Sequence, residues 1–218
     1  MFGGRRRRRD EELARLDRWR TARKLVDEDV TVLGEQVAEL HVDTLADDLD
    51  PTAVDHYRRA LDHYEQAKQL LAASRTAEDV VAVERVVADA RYHRAAVLAV
   101  LAGDPPPERR DPCFFNPQHG PSRQDVAWTP PGGSARVVAV CAADARRLAA
   151  GDEPLVRMVR VGDRWVPWHL AAGTDGTVGA AAELARDGWG GEVQKGLAQA
   201  YLNQGSGGPS GGGGLGGR

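Results

Sequence analysis

Isoleucine is missing from this chain, and lysine occurs only at Lys24, Lys68 and Lys195, so arginine carries nearly all of the positive charge. Isoleucine and lysine codons are AT-rich, and the bias therefore reads as a GC-rich coding sequence rather than as a demand of function. Aromatic residues make up 6% of the chain and only two of its 218 residues are cysteine, which excludes a disulfide-dense secreted scaffold. No apolar run approaches the roughly 20 residues that span a bilayer as a helix. The opening MFGGRRRRRDEELARL has a basic run with no apolar stretch behind it and is not read as a secretory signal. The expected location is cytoplasmic, at most peripheral to a membrane; there a lone cysteine pair is more often thiol or metal-bound than disulfide. A net charge of −3 excludes a chain that binds nucleic acid over its whole surface, while 42% hydrophobic and 28% charged residues fit a soluble protein with at least one core.

What is present begins with helix patterns. Residues 1–9 are read as a basic, disordered N-terminus. Asp10 can cap a helix with Glu11 and Glu12 in its first turn. Apolar residues then fall at Leu16, Trp19, Val26, Val30, Leu33, Val37 and Leu40, a coiled-coil spacing interrupted by Arg23. Asp50-Pro51 restarts a helix, with Val54, Tyr57, Leu61, Tyr64 and Leu71 as its heptad and Lys68 at the remaining position. Thr76 to Asp79 reads as a capping signal for a third helix lined by Val80, Val83, Val87, Ala90, Val97 and Leu101. Short connections predict an antiparallel three-helix coiled-coil bundle over 10–103. Its first helix, roughly 57 Å long, projects beyond the others, and its unmatched seam predicts a homo-oligomer. The arginine run Arg5, Arg6, Arg7, Arg8 and Arg9 lies at the projecting end and is a candidate for anionic lipid or nucleic acid, against the alternative of a solubilising terminus. His56 and His63 share one helix face and are read as a polar face.

A Pro-rich linker at 104–110 leads to a second region at 111–170. Both cysteines, Cys113 and Cys141, lie here. DVAWT and ARVVAV read as strands around PPGGS, CAADARRLAA as a short helix, and LVRMVRVGDRWVPWH as a second hairpin turning at Gly162-Asp163. Cys141 and Asp144 are spaced to share the first turn of the short helix, and Cys113 and His119 precede the hairpin. These four are the candidate metal ligands, with zinc as the expected structural ion and His169 as an alternative fourth ligand. A metal-free relic with two buried thiols, a Cys113–Cys141 disulfide and a catalytic Cys–His pair remain alternatives. Trp128, Trp165 and Trp168 are read as the core of this region or an exposed binding face. Residues 171–203 are Gly/Ala-rich with a short helix at EVQKGLAQAYL, and 204–218 form a disordered Gly/Ser tail.

A knuckle, a hairpin and a helix bearing ligands on its first turn resemble a treble-clef zinc finger over 113–150. The likeness makes Cys113 and His119 the knuckle ligands and Cys141 and Asp144 the helix ligands, with Asp144 its departure from a standard ligand set. At CFFNPQHGPS, W-x-PPGG and VCAADA the chain also resembles a group of uncharacterised actinobacterial proteins that join a helical N-terminal region to such a segment and end in a Gly-rich tail. That resemblance implies the same α+β architecture and no activity. The expectation is a non-enzymatic interaction or scaffold protein whose protein partner the sequence does not identify. The alternatives are an anionic-surface binder through the arginine run and a metal-dependent hydrolase or nuclease at the Cys/His site.

Overall fold

The computed structural model describes residues 3–43, 50–131, 133–161 and 164–171. The Gly162-Asp163 turn, the Gly/Ala-rich segment beyond Ala171 and the Gly/Ser tail lie outside the described residues. The chain is α+β, with α1 (Gly3–Asp43), α2 (Pro51–Ala73), α3 (Ala77–Leu101), a single 3-10 turn (Pro117–His119), β1 (Gln124–Trp128), β2 (Arg136–Val140), α4 (Ala142–Ala149), β3 (Met158–Val161), β4 (Arg164–Pro167) and a short α5 (Trp168–Ala171). No helix among the described residues is long and apolar enough to cross a membrane.

Sequence caps explain the starts of α2 and α3. The Asp50 carboxylate accepts from the Thr52 N–H at 2.7 Å with Pro51 behind it. Thr76 and Asp79 form a reciprocal capping box. The start of α1 corrects the sequence reading, because the helix runs from Gly3 through the arginines expected to be disordered. Arginine is a strong helix former, and Arg6, Arg7 and Arg8 stand one turn ahead of Asp10, Glu11 and Glu12, where opposite charges support a helix.

The three helices alternate in direction. Leu40 near the end of α1 meets Ala53 at the start of α2 and Val97 near the end of α3. Val30 and Leu33 share the main cluster with Ala67 and Leu71 of late α2 and Val80 and Val83 of early α3. The seam of α2 differs from expectation by one position. Ala53, Ala60 and Ala67 are fully buried at seven-residue spacing, and Tyr57, Leu61 and Tyr64 flank the seam half-buried. Alanines let neighbouring helices approach closely, and the larger side chains then close over the contact. Gly34 serves the same approach, since a Cβ there would lie 2.7 Å from the Tyr64 hydroxyl.

The seam of α1 expected to lie bare is covered within the chain from Ala22 to Leu40. Part of the cover is the second hairpin. Val159, Val161 and Val166 and then Trp168 and Ala171 join the same cluster as Leu25, Val26 and Val87. Each fully buried Val or Trp contributes roughly 1.5–3 kcal/mol of transfer free energy. The segment of α1 ahead of Trp19, where the helix was expected to project, has Leu13 50% exposed.

One buried ionic group ties the regions together. Asp29 of α1 accepts from Arg157 Nη1 at 2.8 and 2.9 Å, from Arg91 Nη2 at 3.0 Å and from Gln118 Nε2 at 3.0 Å. Burial raises the Asp29 pKa, and the two guanidiniums overcome it, leaving the carboxyl below its ordinary value. The linker is strapped down as well: Arg109 pairs with Asp89 and lies over the Tyr92 ring, and Arg110 holds Asp125 at 2.6 Å. The Cys/His region therefore sits against the helices instead of hanging from their end.

Candidate metal centre

The ligand cluster is assembled by a knuckle and a helix start. Cys113 donates its N–H to the Gly120 carbonyl at 3.0 Å, and the Phe114 N–H reaches the Ala139 carbonyl of β2 at 2.9 Å. Asn116 caps the following 3-10 turn by accepting from the Gln118 N–H, which delivers His119. Gly120 then turns the chain back with φ +89°, a conformation strained for any side chain. β1 and β2 pair antiparallel from Gln124↔Val140 to Trp128↔Arg136, so β2 ends at Cys141. Cys141 caps α4, its sulfur accepting from the Asp144 N–H at 3.4 Å.

Four donor atoms converge. Asp144 Oδ2 lies 3.0 Å from His119 Nδ1, 3.2 Å from Cys113 Sγ and 3.4 Å from Cys141 Sγ, and Cys141 Sγ is 3.6 Å from His119 Nδ1. All four ligand atoms lie within 4.8 Å of one another, and the group can hold a metal ion. The second carboxylate oxygen of Asp144 is fixed by the Leu155 N–H at 2.9 Å, a contact of the kind that orients metal ligands. Cys113, Cys141 and Asp144 are buried, and the His119 side chain alone keeps partial exposure.

The electrostatics suit a cation. Burial pushes the Asp144 pKa up, but the His119 imidazole, the Leu155 N–H and the Cys113 thiol bring it down to about 2. Hydrogen bonds to Asp144 and Cys141 raise His119 to about 9. The two thiols shift in opposite directions. Cys141, receiving the Cys113 hydrogen bond, falls to about 5, while that same bond and burial push Cys113 up. Thiolate, neutral imidazole and carboxylate are the metal-binding forms, so a cation entering the cluster would release protons from it.

Other expected residues fall elsewhere. His169 is not a ligand: its ring stacks on Phe114 at 5.3 Å and meets Trp128 edge-on at 5.2 Å, held there by α5 and the second hairpin. Trp128 and Trp168 are core, at 6% and 5% exposure, and Trp165 alone of the three is exposed, at 51%. Arg5 to Arg9 are exposed along α1. His56 and His63 gain a partner that the sequence reading missed, His93 of α3, with His56 Nδ1 2.8 Å from His93 Nδ1 and the His63 ring stacked on His93. The Asp29 group was also missed. Its signal was an acid on the apolar stripe between Val26 and Leu33, and its partner Arg157 is too distant in sequence to be paired with it by pattern.

Comparison with family models, with curated proteins and with solved structures gives no match.

Proposed function

We propose that this chain is a non-enzymatic interaction protein, a helical bundle carrying a module stapled by one structural zinc ion. The observation that carries the reading is the convergence of two sulfurs, an imidazole nitrogen and a carboxylate oxygen. Zinc bonds of about 2.0–2.3 Å in a tetrahedron place ligand atoms roughly 3.3–3.8 Å apart; four of the six separations here are 3.0–3.6 Å and all lie within 4.8 Å. Cys113, His119, Cys141 and Asp144 would hold the ion, which would close the knuckle onto α4. A catalytic zinc keeps a position open for water or substrate, and four protein donors favour a closed site over the hydrolase alternative. The test is elemental analysis of protein purified without added metal. One zinc per chain, lost in Cys113→Ser/Cys141→Ser, supports the reading. A folded, reduced wild-type chain without metal rejects it.

The exposed arginine helix favours a second reading, in which Arg5 to Arg9 dock the protein on an anionic surface. Binding to DNA or to anionic vesicles that falls with salt and vanishes on deleting residues 1–9 supports it. Binding unchanged by the deletion rejects it.

A further inference from the structure

Beside the ligand cluster lies a cleft of about 580 Å³ walled by α3, the knuckle and the start of α4. Its charged lining is one-sided. Arg91, Arg94, Arg123 and Arg146 line it with His119, against Asp104 as the one carboxylate among the described residues and the Cys141 sulfur. The neighbouring cleft of about 620 Å³ on the other side of Arg91 is different, since there Asp29, Glu84 and Asp111 accompany Arg91 and Arg136. Arg91 is 95% buried or more, at 5% exposure, and its Nε has no hydrogen-bond partner among the described residues. A buried guanidinium N–H left unpaired is costly, and Arg91 lines both clefts, so on this side its charge adds to that of Arg94, Arg123 and Arg146. Arg94 is braced in place by its Nε–H bond to the Gln36 carbonyl at 3.2 Å. Arg123 and Arg146 are exposed and form no ion pair among the described residues. Ala142 and Ala143, the first turn of the eight-residue α4, form part of the wall, so the positive end of a helix dipole adds to the arginines.

We infer that this cleft binds the phosphate group of a small phosphorylated ligand. Arginine suits phosphate through its planar, paired donors. The volume falls in the range of small-molecule sites, roughly 300–1,000 Å³, and Leu98, Ala99 and Leu155 line it as an apolar seat for the ligand's body. His119 and Cys141 of the donor cluster also line the cleft, so phosphate binding and metal content are read separately.

The experiment titrates inorganic phosphate and, separately, phenyl phosphate into the full chain of known metal content, by calorimetry at constant ionic strength set with sodium chloride. Saturable binding with a Kd of about 1 mM or tighter is expected, weakened at least tenfold in Arg123→Ala/Arg146→Ala. The control Arg15→Ala/Arg58→Ala removes the same charge from exposed sites outside the cleft and should stay within twofold. Phenyl phosphate binding more tightly than phosphate supports an ester with a body in the apolar seat, and equal affinities support the free anion. No saturation in the folded protein, or equal weakening in both double variants, overturns the inference. Phosphate binding retained in a chain found to lack metal would leave it standing and sink only the zinc reading.

Discussion

The two hairpins of this protein are built from strands of similar length and are stabilised in different ways. β1–β2 has a core of its own: Phe115, Trp128, Val138 and Val140 gather around Cys113 and Cys141, and the ligand cluster closes one end. β3–β4 pairs from Met158↔Pro167 to Val161↔Arg164 and has no separate core, because its valines lie in the cluster of α1 and α3. A two-stranded hairpin is marginal alone. One solution is a set of ligands and the other is a host surface. The contrast teaches that the helical bundle and the Cys/His region are joined through β3–β4 and Asp29, while the first hairpin can in principle fail by itself.

The largest expected effect breaks the first hairpin. If the cluster holds zinc as proposed, Cys113→Ser or Cys141→Ser should abolish metal binding and unfold β1–β2, since a structural zinc contributes on the order of 10 kcal/mol to folding in small fingers. Near-ultraviolet circular dichroism and fluorescence should report the loss around Trp128, while helical ellipticity stays close to wild type. A parallel collapse of the helical signal would show that the two hairpins belong to one cooperative unit and would end the comparison.

Next comes the docking of the second hairpin. Asp29→Asn keeps the shape but removes the carboxylate that Arg91 and Arg157 share, leaving Arg157 only the half-exposed Glu28 at 3.8 Å. Breaking a buried pair in this way costs about 3–5 kcal/mol, read as a shift in urea midpoint with the metal still bound. Adding Arg91→Met should recover part of the loss, because the buried charge paired with Asp29 alone is then removed. Metal loss in Asp29→Asn would instead mean that the cluster also depends on the helices.

These two sites differ in how legible they were in the sequence. The ligands Cys113, His119, Cys141 and Asp144 could be assembled because each pair is local and the hairpin between them is marked by PPGG. The caps at Asp50 and Thr76 were equally local. The α2 seam was misplaced because Tyr57, Leu61 and Tyr64 outweigh alanines in any count of apolar size, whereas packing selected Ala53, Ala60 and Ala67 for closeness. His169 entered as an alternative fourth ligand by residue type, and only the path through β3, β4 and α5 shows it lying among aromatic rings. The docking of Val159 and Val166 on Val26 and Val87 is a long-range event that periodicity does not encode.

Acid should strike both regions through neutral buried imidazoles. Burial first, then His56, His63, Arg109 and Arg59, hold His93 down at about 4, and burial with Arg136 holds His169 at about 4, against 6.5 when exposed. Each favours folding above pH 6.5, and that contribution is lost as pH falls from 6.5 through 4, amounting to about 2 kcal/mol each by pH 5. Denaturation curves between pH 7 and 5 should therefore be flatter for His93→Gln, which acts in the bundle, and for His169→Gln, which acts beside Trp128. A wild-type stability that is constant over this range would show that neither ring is kept neutral by the fold.

The smallest effect separates the tryptophans. Trp128 serves the first hairpin's core and Trp168 the shared one, so replacing either by alanine should cost about 3–5 kcal/mol. Trp165 stands on the same β4 strand that delivers Trp168, yet its side chain faces outward between Arg164 and the buried Val166. Trp165→Ala should change stability by no more than about 0.5 kcal/mol. If Trp165 contributes to a partner surface, the variant keeps its denaturation curve and loses partner binding. If it instead costs as much as Trp168→Ala, the outer face of β3–β4 is covered within the chain, and the second hairpin is buried on both sides rather than docked by one.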